Sequence, residues 1–229
     1  MIYQSSNGSS KVNRENEFPL QQIQVNDNKY YLISKRIVDL VCSTIGIILL
    51  IPLFLLLAIF IKLEDRKGPV IFKQIRIGKS GKQFNIYKFR SMVTNAEELK
   101  VALLEHNEIA GPVFKIKYDP RVTKVGKFIR KTSLDELPQL LNVLKGEMSL
   151  VGPRPPLPNE VEKYTSYERQ RLRVTPGLTC YWQVSGRSNI SFERWMELDL
   201  KYIQERSFFL DIKLILKTVF VIFGSKDAY

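Results

Sequence analysis

The longest apolar run in the chain extends from Leu40 to Ile61 without a charged residue, and Ile, Leu, Val and Phe fill most of it. That length suffices for a helix to cross a ~30 Å hydrocarbon core. Three features complicate a simple span. Pro52 sits in mid-run, where proline removes a backbone hydrogen bond and bends a helix. Asp39 stands at the threshold. Both flanks are basic, with Lys29, Lys35 and Arg36 before the run and Lys62, Arg66 and Lys67 after it. Basic flanks belong on the cytoplasmic side. A helix that enters, bends at Pro52 and returns to the same face satisfies both ends. Ser43 and Thr44 lie one turn before the carbonyl near Ile48 that proline frees. On this pattern a spanning and a re-entrant helix stand level. A core helix of a soluble protein fits less well, since nothing else in the chain is apolar enough to surround it.

After the run, two β-rich stretches, Gly68–Gly78 and Gln83–Met92, flank the turn Lys79-Ser-Gly81 and predict a hairpin. Thr94 or Asn95 can cap a helix to about Ile109, which Gly111-Pro112 ends. Alternation from Val113 to Tyr118 predicts a short strand, and Asp119-Pro120 a turn. Lys124–Lys131 is a short basic amphipathic piece. Two later helices run from about Ser191 to Glu205 and from Phe208 to Phe223. Asp211, Lys213 and Lys217 make the second a poor span. It either lies in the membrane interface with its lysines near headgroups, or serves as a core helix. The N-terminal residues are polar, rich in Asn, Gln and Ser, and lack a signal-peptide apolar core. The expected organisation is a variable, disordered tail over 1–30, a membrane helix over 31–63, and a catalytic unit over 64–229.

Charge changes the picture. Lys and Arg total 35 against 23 Asp and Glu, a formal +12. Such an excess points to polyanions: nucleic acid, anionic lipid or phosphorylated substrates. Cys42 and Cys180 are isolated and His106 is the single histidine, read as a surface residue. That argues against a zinc site, a disulfide and histidine-based catalysis.

Candidate chemistry centres on Asp135 and Glu136, adjacent acids in a basic chain, at what reads as a helix start. Ser133-x-x-Glu136 fits a capping box, in which both acids are structural. The same geometry offers backbone N–H groups to an anion. There an ionised aspartate can attack phosphorus, and its neighbour can ligate Mg²⁺ together with substrate phosphates. A carboxylate attacking a diphosphate needs cations to offset repulsion. Lys88, Arg90, Arg130, Arg154 and Arg187 are the candidates, with Arg154 held in the stiff run Gly152-Pro-Arg-Pro-Pro156. The aromatics of Gly177–Arg187 either stack a base or pack a core.

Six ordered stretches closely resemble the bacterial sugar transferases, the monotopic phosphoglycosyl transferases. They are Lys88-Phe-Arg-Ser-Met92, Ser133–Gln139, Leu144–Pro155, Pro176-Gly-Leu-Thr179, Gln183–Arg187 and Glu197–Tyr202. The resemblance covers roughly Lys35 to the C-terminus. It implies an α+β, mainly helical monotopic protein with a re-entrant membrane helix, amphipathic interfacial helices and a small β-hairpin or sheet. It implies transfer of a phosphosugar from a UDP-sugar to polyprenyl (undecaprenyl) phosphate through a covalent aspartyl intermediate, with UMP leaving. That reaction begins capsule, exopolysaccharide or glycan assembly. It makes Asp135 the nucleophile and associates Glu136 with Mg²⁺. It assigns substrate binding to Lys88, Arg90, Arg130, Pro153, Arg154, Pro155, Gly186, Arg187, Asp199 and Asp211, and the membrane bend to Pro52. The family's small residue before that proline is Ile51 here.

The implied setting is the cytoplasmic face of the inner membrane, with anionic phospholipid as neighbour and a homodimer allowed. Larger relatives carry extra spanning helices and an N-terminal domain, so the chain looks like the short form. Two other readings compete. A membrane-tethered nucleic-acid binder is disfavoured because the basic residues form no single face or recognised module. A non-enzymatic scaffold of polysaccharide export leaves the acid pair unexplained.

Overall fold

In the computed structural model a long helix, α1 (Lys29–Glu64), runs unbroken in its helical assignment through Pro52. The structure describes residues 22–107, 114, 116, 118–184 and 190–224. The expected tail over 1–21, the helix end near Ile109, the break at Gly111-Pro112, most of the strand expected at Val113–Tyr118, and the Gly186-Arg187 pair lie outside them, as does the side chain of His106. After α1 come β1 (Ile71–Ile77), β2 (Gln83–Phe89), α2 (Ala96–Ala102), α3 (Lys124–Lys131), α4 (Leu140–Lys145), β3 (Ser149–Val151) and α5 (Pro158–Glu162). Then follow α6 (Ser166–Arg169), β4 (Gly177–Thr179), α7 (Tyr181–Val184), α8 (Phe192–Glu205) and α9 (Phe208–Gly224). The described residues are mostly helical, with two small two-stranded sheets.

The hairpin forms as the pattern predicts, β1 against β2 with Ile71 opposite Phe89 and Ile77 opposite Gln83. Its turn holds Ser80 and Gly81 at positive φ. The helix expected from Thr94 or Asn95 is shorter than its pattern. It stops at Ala102 and buries no residue, so it lacks the tertiary packing that lengthens most helices. The parallel pair β3–β4, Ser149 opposite Gly177, was not foreseen. Strands of three residues are too short to show alternation.

Asn28 starts α1 by accepting from the Tyr30 and Tyr31 N–H groups. The outer face of the helix meets no protein: Ile45, Ile48, Leu49, Leu55 and Ile59 are all exposed. Its inner face holds the rest of the chain at both ends. Near the start, Lys35 Nζ donates to Asp211 Oδ2 at 2.7 Å and to the Val151 carbonyl at 2.8 Å. Arg36 donates to the Val143 and Leu144 carbonyls, and Asp39 accepts from the Leu150 N–H. Near the end, Leu57 and Ile61 are buried with Phe89 and Ile129. Glu64 accepts from the Lys124 and Val125 N–H groups at the start of α3.

The largest core joins Val151, Val174, Leu200, Tyr202, Ile203 and Leu214. Ile23 belongs to it, and its N–H donates to Gln170 Oε1 while its carbonyl accepts from Arg173. Arg206 further holds the Asn26 carbonyl. Residues 22–28, within the stretch expected to be a disordered tail, are therefore docked on the globular part of the chain. An apolar residue at 23 and a facing guanidinium at 206 outweigh the polar composition around them. Helix α9 is two-faced, which fits the core role on its inner side. Leu214 and Asp211 are buried inward, while Phe209 and Phe220 are exposed outward.

The two short strands sit so close that Gly152 and Gly177 admit no side chain. A Cβ on Gly177 would lie 2.0 Å from the Gly152 nitrogen. Gly177→Ala is expected to cost about 1–3 kcal/mol through forced backbone separation. A thermal melt compared with an exposed substitution such as Lys213→Ala checks it.

Candidate active site

Helix α3 ends at Thr132, and Ser133 turns the chain with φ 57°. A 3-10 turn over Leu134–Gln139 follows, in which the Glu136 N–H donates to the Ser133 carbonyl at 3.2 Å. This corrects the expected capping box. Ser133 lies in the left-handed region and makes no side-chain cap bond, so it cannot serve as an N-cap. The acids stand on a 3-10 turn leading into α4 and not at an α-helix start.

The turn packs on the hairpin. Register puts Gln74 and Arg76 of β1 on one face with Phe84, Ile86 and Lys88 of β2. From that face Lys88 Nζ donates to Glu136 Oε1 at 2.6 Å. Asp135 is buried, 9% exposed. Burial pushes its carboxyl up to about 6, the Lys88 charge pulls it back, Glu136 pushes it up again, and Arg130 lowers it. At neutral pH it is mostly ionised, weakly solvated and flanked by two cations, which suits a nucleophile. The structure thus brings Asp135, Glu136, Lys88 and Arg130 together.

Arg154 lies on the proline-rich loop, whose successive carbonyls are each held. Pro153 accepts from the Gly177 N–H at 2.9 Å, Arg154 from Arg171 Nη2 at 2.9 Å, Pro155 from Arg76 Nη1 at 3.0 Å, and Pro156 from the Ile77 N–H at 2.9 Å. The prolines have no N–H to offer in return, so the loop is fixed from outside. The Arg154 side chain pairs with Glu160 at 3.2 Å and lies 5.1 Å over the Trp195 ring. Trp182 packs on Trp195 with ring centroids 4.8 Å apart.

Three other expected site residues have inward partners. Arg90 donates to the Asp65 carbonyl at 2.7 Å and pairs with its carboxylate, tying β2 to the end of α1. Asp199 is fully buried and ion-paired with Arg171. Asp211 accepts from Lys35, Tyr31 and Tyr202, joining α1, α8 and α9. Asp199 has no exposed surface, and Arg171 links it to the Arg154 carbonyl.

Sequence reasoning missed Arg76, Glu160 and Arg171, which build and hold the loop. Each looks like an ordinary surface charge until the fold buries it.

The sequence model described as Bacterial sugar transferase matches residues 30–225, and the chain belongs to that family. It is 51% identical over 195 residues to the galactosyl transferase CpsE of Streptococcus agalactiae, covering 84% of this chain and 42% of that protein. It is 45% identical over 199 residues to the undecaprenyl-phosphate galactose phosphotransferase of Salmonella typhimurium, covering 85% and 41%. The exopolysaccharide production protein ExoY of Rhizobium meliloti is 40% identical over 200 residues, with 86% and 88% covered. The chain thus spans less than half the length of the first two relatives and matches most of ExoY.

Proposed function

We propose that this chain is a phosphoglycosyl transferase that moves a sugar phosphate from a UDP-sugar to a polyprenyl phosphate. The observation that carries the reading is buried Asp135 beside Glu136, with the Lys88 and Arg130 charges acting on it and Lys88 donating to Glu136 at 2.6 Å. Relatives named for galactose transfer to undecaprenyl phosphate and for exopolysaccharide production support the substrate class. In the proposed sequence an Asp135 oxygen attacks the sugar-bearing phosphorus. The bond to UMP breaks, UMP leaves, and the sugar phosphate rests on Asp135. A polyprenyl phosphate oxygen then attacks the same phosphorus and releases the carboxylate. Lys88 and Arg130 keep the nucleophile charged, and Arg154 is positioned for phosphate or nucleotide.

The donor set fits Mg²⁺. Glu136 presents a carboxylate 45% exposed next to Asp135, and no group of three or more metal-ligating side chains occurs among the described residues. Mg²⁺ binds through one or two carboxylates and completes its shell with water and phosphate. Asp135 and Glu136 would hold it, and it would neutralise charge on the diphosphate. Purified protein in lipid with Mg²⁺ is expected to release UMP from one member of a UDP-sugar panel before acceptor is added. Release from none would overturn the proposal.

We also propose that α1 is re-entrant at the cytoplasmic face. A single globular unit grips both ends of the helix, through Lys35 and Arg36 at one end and Glu64 and Asp65 at the other. A spanning helix would separate such ends by ~30 Å of hydrocarbon. The exposed apolar faces of α1 and α9 are the surfaces to meet lipid. In a Cys42→Ser background, cysteines placed at Lys29 and Lys67 should both react with an impermeant maleimide only from the cytoplasmic side. Labelling from opposite sides would establish a span.

A further inference from the structure

Arg76 is a buried cation with no ion pair among the described residues. It is 7% exposed, and its hydrogen bonds go to two neutral acceptors: the Pro155 carbonyl at 3.0 Å and Gln74 Oε1 at 2.7 Å. Its Nε–H is buried and has no acceptor among the described residues. Burial and then the charge of Arg154 push it down to about 9, with Glu160 and Glu136 partly opposing, so it remains a cation at neutral pH. Buried charges are ordinarily paired. Arg171, equally buried, obeys the rule through Asp199. Arg76 instead bonds only neutral acceptors among the described residues and feels the opposing charge of Arg154.

Its position explains what such a cost serves. Arg76 shares the hairpin face of Lys88, which reaches Glu136, and it holds the carbonyl next to Arg154. The hairpin face that carries Arg76 thus runs from the proline loop to the acid pair, the two parts of the proposed site. A substrate anion arriving there would add countercharge to the partial share that Glu160 and Glu136 provide.

We infer that Arg76 is a positioning residue for the anionic donor: it fixes the Arg154 loop and, with Arg154, forms a two-arginine site for a diphosphate. The inference deepens the phosphoglycosyl-transferase reading and rests on it. A purely structural Arg76 would be expected to stabilise the empty protein. An anion-binding Arg76 leaves the empty protein under electrostatic strain and stabilises the occupied one.

The test compares wild type, Arg76→Gln and Arg76→Lys, full chain in lipid nanodiscs with Mg²⁺. UDP and inorganic pyrophosphate serve as probes, and melting and binding are both measured. Arg76→Gln is expected to melt no lower than wild type when empty. Its UDP affinity should fall about tenfold to a hundredfold, the range for charge-assisted hydrogen bonds. KM for the UDP-sugar should rise more than kcat falls, and Arg76→Lys should recover part of the affinity. Wild-type UDP affinity in folded Arg76→Gln would overturn the inference. If that variant does not fold, Arg76→Lys decides: affinity equal to wild type overturns it and a clear loss supports it. Wild-type protein that binds neither UDP nor pyrophosphate would overturn the transferase reading as well.

Discussion

Asp135→Asn is expected to abolish sugar-phosphate transfer while leaving the protein folded. The amide keeps the size and most hydrogen bonds of the carboxyl but cannot attack phosphorus, so the loss should be about a thousandfold or more, as for other removed nucleophiles. Its stability should hold or rise. Burial raises the Asp135 carboxyl to about 6, above its unfolded range, so ionisation opposes folding as pH climbs through that value. Asparagine removes that opposition. UMP release, radiolabelling of the protein by sugar phosphate and the melting temperature together check the outcome. Normal turnover in the variant would remove Asp135 from the chemistry. If Asp135 is the nucleophile, kcat/KM, which reports the free protein, should fall with acid as Asp135 takes up its proton near about 6.

Asp199→Ala is expected to be the most damaging change to stability. Asp199 is the buried counter-ion of Arg171, a guanidinium just 1% exposed in its side chain. Removing one partner of a buried pair typically costs about 3–5 kcal/mol, because the other charge stays desolvated. Arg171 also donates to the Arg154 carbonyl and to the Tyr164 hydroxyl at 2.7 Å, so the proline loop should loosen as the fold weakens. The double variant Arg171→Met with Asp199→Leu separates the two effects. It removes both charges and should regain most of the melting temperature. It cannot restore the bond to the loop, so donor KM should remain high. Full recovery of KM alongside stability would show that the Arg171 clamp has no part in donor binding.

Comparing these two aspartates shows what was legible beforehand. Asp135 was conspicuous because an acid doublet stands out in a basic chain; Lys88 and Arg130 were two of five candidate cations, and the fold put them beside it. Asp199 was recognised only through resemblance, and its partner Arg171 was invisible. Nothing local distinguishes Arg171 from Arg169 or Arg173, two residues away on either side. Burial alone separates them, and burial depends on elements distant along the chain. The Ser133–Glu136 spacing shows the reverse failure. A local motif predicted a cap, yet the positive φ at Ser133 removed it.

The apolar run, the hairpin, the two C-terminal helices and the family motifs were all determined by local order along the chain. Periodicity and motif spacing are properties of neighbouring residues, and the propensities they express act over one or two turns. The tertiary structure alone decided which charges became site and which became scaffold. It gave both ends of α1 to one globular unit, docked residues 22–28, turned Arg90 and Asp211 inward, and buried Arg76 with no ion pair among the described residues. The physical reason is that a charge takes its role from solvent exposure and from partners far away in sequence, and neither exists until the chain has packed.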